Sequence, residues 1–259
     1  MILVLLGMHK SGTTLLSRML HESGVNMCEA PDRISSYDAG NKYERLEFLI
    51  YNTAMLDINI STFSSDIVDT AEDLSMSIHS ATLGALLEMR IEELNNKYEN
   101  WGFKDPRTCM TYRAWKKHLP SHRVLVAFRN PYEVAAHLAR SVRNIRLFRR
   151  IKRTAGGLNS WYLHNRNIIS YSEESGDEFL FVDYNKFMSE QGDFYIDRIS
   201  EFCGIKIRDL RDRNLYRNRM ENLSLAEKID QNFGSLFIGR KVRKIYDRLR
   251  EIEESQHRA

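Results

Sequence analysis

The chain has 259 residues, 42% hydrophobic and 28% charged, with a net charge of +3. Those values describe a soluble globular protein long enough to bury one large α/β core, and the small positive surplus does not argue for a nucleic-acid partner. Cys28, Cys109 and Cys203 are far apart and form no CxxC pair, which excludes a disulfide framework and a zinc site and leaves three reduced, buried thiols.

The first element is an apolar strand. Ile2, Leu3, Val4, Leu5 and Leu6 contain no turn former, which suits a buried parallel strand. The run is far too short to cross a bilayer and has no basic leader or cleavage site, so a cytoplasmic protein is expected. Gly7, Met8, His9, Lys10, Ser11, Gly12, Thr13 and Thr14 follow. Leu15, Leu16, Met19 and Leu20 then fall at helical spacing, and Gly24 can end that helix.

A strand, a Gly-flanked loop and a helix N-terminus together form a cradle for a phosphate. Backbone N–H groups converge there and the helix dipole favours an anion. A nucleoside-triphosphate loop reads GxxxxGK[ST]. The Gly7-to-Gly12 spacing is kept, but Thr13 stands at the lysine position. The loop's one lysine, Lys10, lies two residues before Gly12, where it can reach the bridging oxygen of a bound nucleotide. A degenerate triphosphate loop, or a turn with no ligand, is the alternative.

Residues 25–44 read as a loop rich in Asp, Ser, Gly and Asn. Residues 46–56 read as a helix with Leu46, Leu49, Ile50 and Thr53 at fitting spacing. Residues 61–73 read as a polar surface loop. A long helix is expected over 74–98, with Leu83, Leu86, Leu87, Ile91 and Leu94 on one side. Residues 101–103 form a short strand running into Lys104, Asp105, Pro106 and Arg107, where Asp105 and Arg107 pair to fix the turn.

Residues 123–128 (RVLVAF) are a second buried strand, and Asn130 caps a helix that begins at Pro131. Glu133, His137 and Ser141 share one face of that helix. Residues 140–153 carry seven basic residues and no acid, a solvated face or a docking surface for a polyanion. Residues 179–182 are a third strand, and 225–254 are mostly helical. Trp115 and Trp161 read as core.

Strands alternating with helices imply a parallel sheet with right-handed crossovers, whose ligands sit beyond the carboxyl ends of the strands. The first loop and Arg129 both lie at such ends and can share one site. A single domain over 1–259 is expected, with 225–259 as a helical C-terminal tail.

The loop HKSGTT resembles the 5′-phosphosulfate loop of the sulfotransferases that use 3′-phosphoadenosine-5′-phosphosulfate (PAPS). Residues 124–141 resemble the family's 3′-phosphate motif, an Arg at a strand end followed eight residues later by Ser; here that position is His137. WGFKDPRT resembles bacterial sulfotransferases acting on sugars or small molecules, and its KDP resembles tyrosylprotein sulfotransferases, where the lysine stabilises transition-state charge. That lysine is Lys104. GNKYERLEF is similar to a bacterial acceptor-side stretch, Asn-Pro-x-Gly-Tyr-x-Glu, without its Pro and second Gly. Glu44 is the matching carboxylate, either a general base or a first-turn acid; Glu47 and His9 are rival bases.

The resemblance implies an α/β fold: a single P-loop-type domain, helix-rich, with a central parallel β-sheet flanked by helices. It implies sulfuryl transfer from PAPS to a hydroxyl or amine of a carbohydrate or small metabolite, releasing adenosine 3′,5′-bisphosphate (PAP), with no metal. His9, Lys10, Ser11, Gly12, Thr13 and Thr14 would surround the 5′-phosphate. Arg129 and His137 would hold the 3′-phosphate, and Arg217 with Asn218 could close over it. Lys10, Glu44 and Lys104 would be catalytic. Neither a nucleic-acid partner nor a membrane span is expected. The alternatives are a P-loop kinase using a nucleoside triphosphate, with Asp183 as its magnesium ligand, and a non-enzymatic polyanion binder.

Overall fold

The structure is a computed structural model, in which residues 1–29, 43–59, 81–140, 147–190, 192–212 and 238–258 are described. Residues 61–73, Arg217, Asn218 and residues 141–146 of the basic stretch, Ser141 among them, lie outside that set.

Four parallel strands form the sheet: β1 (Ile2–Leu6), β2 (Trp101–Lys104), β3 (Arg123–Phe128) and β4 (Glu178–Asp183), in the order β2-β1-β3-β4. All four expected strands are present; β2 runs one residue longer than expected, and β4 one residue longer at each end. The buried pattern of β1 is continuous, as a strand covered on both faces requires.

Around the sheet lie α1 (Thr13–Glu22), α2 (Leu46–Met55), α3 (Ala81–Lys97), α4 (Thr108–Lys116), α5 (Pro131–Arg140), α6 (Leu147–Glu174), the single turn α7 (Tyr184–Phe187), α8 (Gly192–Cys203) and α9 (Gly239–Arg258). Among the described residues no helix is long and apolar enough to cross a membrane.

The pleat sorts side chains into two cores. Ile2, Val4, Leu6, Trp101, Phe103, Val124, Val126 and Phe128 face one layer, built from α2 to α6 and α9. Leu3, Leu5, Leu125, Ala127, Leu180 and Val182 face the other, built from α1, α7 and α8. Trp115 and Trp161 are both fully buried in the first layer, and all three cysteines are buried and free.

Two helical faces differ from the sequence reading. In α2 the buried side is Phe48, Asn52, Thr53 and Met55, whereas Leu46 and Ile50 are exposed. In α3 Leu87, Ile91 and Leu94 are buried but Leu86 is exposed. The reason is what each helix meets. Phe48 packs edge-on against Phe103, 4.8 Å between centroids, and beside Trp115. Asn52 satisfies a buried polar cluster on α4: its amide donates to Thr108 Oγ1 at 3.0 Å and its carbonyl accepts from Trp115 Nε1 at 2.7 Å. An aromatic wall and an amide socket fixed the helix's rotation, overriding the stripe that runs through Leu46 and Ile50.

These faces give a direct test. Phe48→Ala should destabilise the protein by about 3–5 kcal/mol in urea unfolding, while Leu46→Ala should stay within about 0.5 kcal/mol of wild type.

Candidate active site

β1 is followed in the chain by a crossover to β2 on one side, and β3 by a crossover to β4 on the other. Adjacent strands whose connections leave in opposite directions open a crevice at their carboxyl ends. The loop after β1 and Arg129 after β3 lie on its two sides.

The cradle begins at Gly7, where a Cβ would come within 2.6 Å of Ala127 O on the neighbouring strand. Gly7 N donates to the sulfur of buried Cys109 at 3.3 Å, which ties the loop to the start of α4. Burial pushes the Cys109 thiol up to about 12, so it stays a neutral acceptor. Ser11 N donates to Met8 O at 3.2 Å, closing the turn. Lys10 takes a left-handed backbone conformation, φ 69°, a strained state for lysine of the kind that clusters at ligand sites. Gly12 is the N-cap of α1 with φ 89°, and a Cβ there would lie 2.0 Å from the Tyr184 ring.

Two features make the cradle fit an anion. Among the described residues no side chain caps α1, so its first-turn N–H groups are left to a ligand or water. Ser11 is fully buried and its hydroxyl finds no partner among those residues, a deficit that a phosphate oxygen would satisfy. His9, Lys10 and Thr14 are half-buried and Thr13 is buried.

Arg129 reaches the cradle directly. Its Nη1 approaches Lys10 O at 3.4 Å, and its guanidinium lies over the Tyr184 ring, 5.2 Å from the centroid. It is also an ion-pair partner, with Nε 2.8 Å from Glu133 Oε2. Trp161 Nε1 donates to Arg129 O at 3.0 Å and fixes the strand end. Asn130 caps α5 as its sequence suggests, its Oδ1 accepting from Tyr132 N at 2.9 Å. His137 is half-buried, one turn beyond Glu133 on the same side of α5.

On the other side of β1, Lys104 ends β2. Its ammonium is buried and donates to Glu44 Oε1, so two residues sixty positions apart meet in one spot. Arg45 explains how. Its buried guanidinium donates to Gly102 O at 3.1 Å and to Asn26 O at 2.8 Å, fastening the segment beside Glu44 to the sheet edge. Asp105 and Arg107 pair at 3.1 Å, and Asp105 also accepts from Arg107 N, as the turn reading holds. Glu47 is paired with Arg90 of α3 at 3.0 Å, which engages it away from Lys104.

Asp183 ends β4, two strands from the β1 loop. It caps α7, accepting from Asn185 N at 2.9 Å, and burial raises its carboxyl to about 6. Cys109, Arg45, Tyr184 and Asn185 were not singled out from the sequence. Cys109 had a signal, since it follows the KDPRT segment at a strand end, and so did Arg45, inside the GNKYERLEF stretch.

Residues 3–209 match the sequence model described as the sulfotransferase family. No curated protein matches the sequence. Among solved structures, the sulfotransferase domain from the Synechococcus PCC 7002 olefin synthase is 16% identical, with a TM-score of 0.55 over 95% of this chain and 93% of that one. The sulfotransferase domain from the curacin biosynthetic pathway is 15% identical, with a TM-score of 0.54 over 96% of each chain. At these identities the likeness is one of fold.

Two measurements check this geometry. Gly12→Ala forces both a left-handed alanine and a collision with Tyr184, so urea unfolding should show a loss of about 2 kcal/mol or more. Asp183 holds its proton more tightly folded than unfolded, so its contribution is complete below about pH 4 and is lost as pH rises through about 6. Asp183→Asn keeps the cap. It should match wild type near pH 4, gain stability over it as pH rises from about 4 to about 6, and hold a constant advantage above that, read by denaturant unfolding across the range.

Proposed function

This chain belongs to the sulfotransferase family, and from that premise we propose that it transfers a sulfuryl group from PAPS to a hydroxyl or amine of a carbohydrate or small metabolite. One observation carries the choice of donor: a guanidinium from the tip of β3 lies against the phosphate loop of β1, with 3.4 Å between Arg129 Nη1 and Lys10 O. Two strand tips are thereby available to one nucleotide that is phosphorylated at both ends. The uncapped α1 and the buried hydroxyl of Ser11 support an anion in the loop.

In this reading the backbone of residues 11–14 binds the 5′-phosphate, and Arg129 with His137 binds the 3′-phosphate. The bound donor supplies an activated sulfuryl group whose bridging oxygen gains charge as the acceptor attacks. Lys10 is the cation assigned to that oxygen. Glu44 takes the acceptor's proton. Lys104, in contact with Glu44, puts a fixed positive charge where negative charge develops, in a site already shielded from water. Fixed cations and N–H groups thus do the stabilising, and position does much of the rest.

A kinase reading is less well supported. Thr13 occupies the position of the triphosphate-loop lysine, and the carboxylate of Asp183 is engaged as a helix cap.

Titration calorimetry should show PAP binding without magnesium, and magnesium–ATP should not displace it; the reverse pattern would refute this function. Lys10→Asn suits the left-handed backbone while removing the ammonium. It should keep the fold and lower kcat by about 10²–10³. Glu44→Gln should lower kcat by about 10²–10⁴ with little change in donor KM. Arg129→Ala is a poor probe, because it strands buried Glu133 at a cost of about 3–5 kcal/mol.

A further inference from the structure

We propose that Asn185 is a positioning residue that acts through Glu133 to aim Arg129 at the phosphate loop, and that it thereby sets the preference for a nucleotide carrying a 3′-phosphate. The inference rests on the donor reading above.

An arginine at a strand tip has four rotatable side-chain bonds and would ordinarily sample many directions. Arg129 is held from several sides. Glu133 Oε2 accepts from both Nε, at 2.8 Å, and Nη2, at 2.5 Å, a forked geometry that fixes the plane of the guanidinium. The Tyr184 ring supports its face. Nη1 is thus directed toward the loop.

The aim of Arg129 is therefore no better than the aim of Glu133. That carboxylate is almost fully buried, with its side chain 1% exposed, and its second oxygen is held by Asn185. Asn185 Nδ2 donates to Glu133 Oε1 at 2.7 Å, and Asn185 Oδ1 accepts from Asn130 N at 3.2 Å. Its backbone N donates to Asp183 Oδ1 at 2.9 Å. A continuous chain of hydrogen bonds runs from the tip of β4, across the tip of β3, to the loop of β1. Asparagine suits the link because one planar group must donate to Glu133 and accept from Asn130. Aspartate would face Glu133 with a second acceptor, and an apolar residue would leave a buried carboxylate oxygen unpartnered.

The test is the ratio of two affinities, for PAP and for adenosine 5′-monophosphate, measured by calorimetry on the whole chain. Wild type should favour PAP. Asn185→Ala should weaken PAP at least about tenfold and leave the monophosphate within about twofold, so the ratio collapses. A residue that only supports the fold would weaken both ligands together or lower the melting temperature alone, and either result overturns the inference. So does a variant that keeps the wild-type ratio. Should Asn185→Ala fail to fold, Glu133→Gln decides on the same criterion. Wild type without a preference for PAP refutes the donor reading itself, whatever the variants do.

Discussion

Strand order is the constraint from which the rest of this molecule follows. β1 lies between β2 and β3, and its crossover and that of β3 leave the sheet in opposite directions. Neither connection then roofs the gap between those two tips, because each departs from it. Groups at the ends of strands far apart in sequence, such as the Arg129 guanidinium and the Lys10 carbonyl, are brought within hydrogen-bond distance there. Lys10 and Arg129 meet across 119 positions.

Burial then decides what those side chains must do. Lys104, Arg107, Arg129 and Glu133 sit where an unpaired charge would be costly. Each is paired: Lys104 with Glu44, Arg107 with Asp105, and Arg129 with Glu133. The pairs satisfy buried charge and also fix direction. A lone buried lysine would turn to water; one held by a carboxylate keeps its aim. The same pairs that let the site fold also fix the direction of its charges.

Much of the plan was legible in the chain. The apolar runs 2–6 of β1 and 124–128 of β3 read as buried strands because they hold no polar side chain to face water. Asn130-Pro131 announced a helix start because the side chain caps it and the ring suits its first position. The rotation of α2 was not legible. Leu46, Leu49 and Ile50 suggest one face, but Phe48 and Asn52 had particular partners on β2 and α4, and a periodicity count does not see partners. Membership of the Arg129–Glu133 pair was half visible, being an i,i+4 contact, whereas the Asn185 link behind it was not.

By itself the sequence determined local things: which segments are strands, where helices start, and that a glycine loop joins the first strand to the first helix. These depend on neighbours within a few residues, whose spacing is written in the chain. The tertiary structure alone decided that Glu44 meets Lys104, that Arg45 anchors the segment between them, and that Cys109 accepts from Gly7. Those contacts join residues from 57 to 102 positions apart. They exist because the sheet sets the strand tips side by side and because burial leaves each polar group only the partner it finds there.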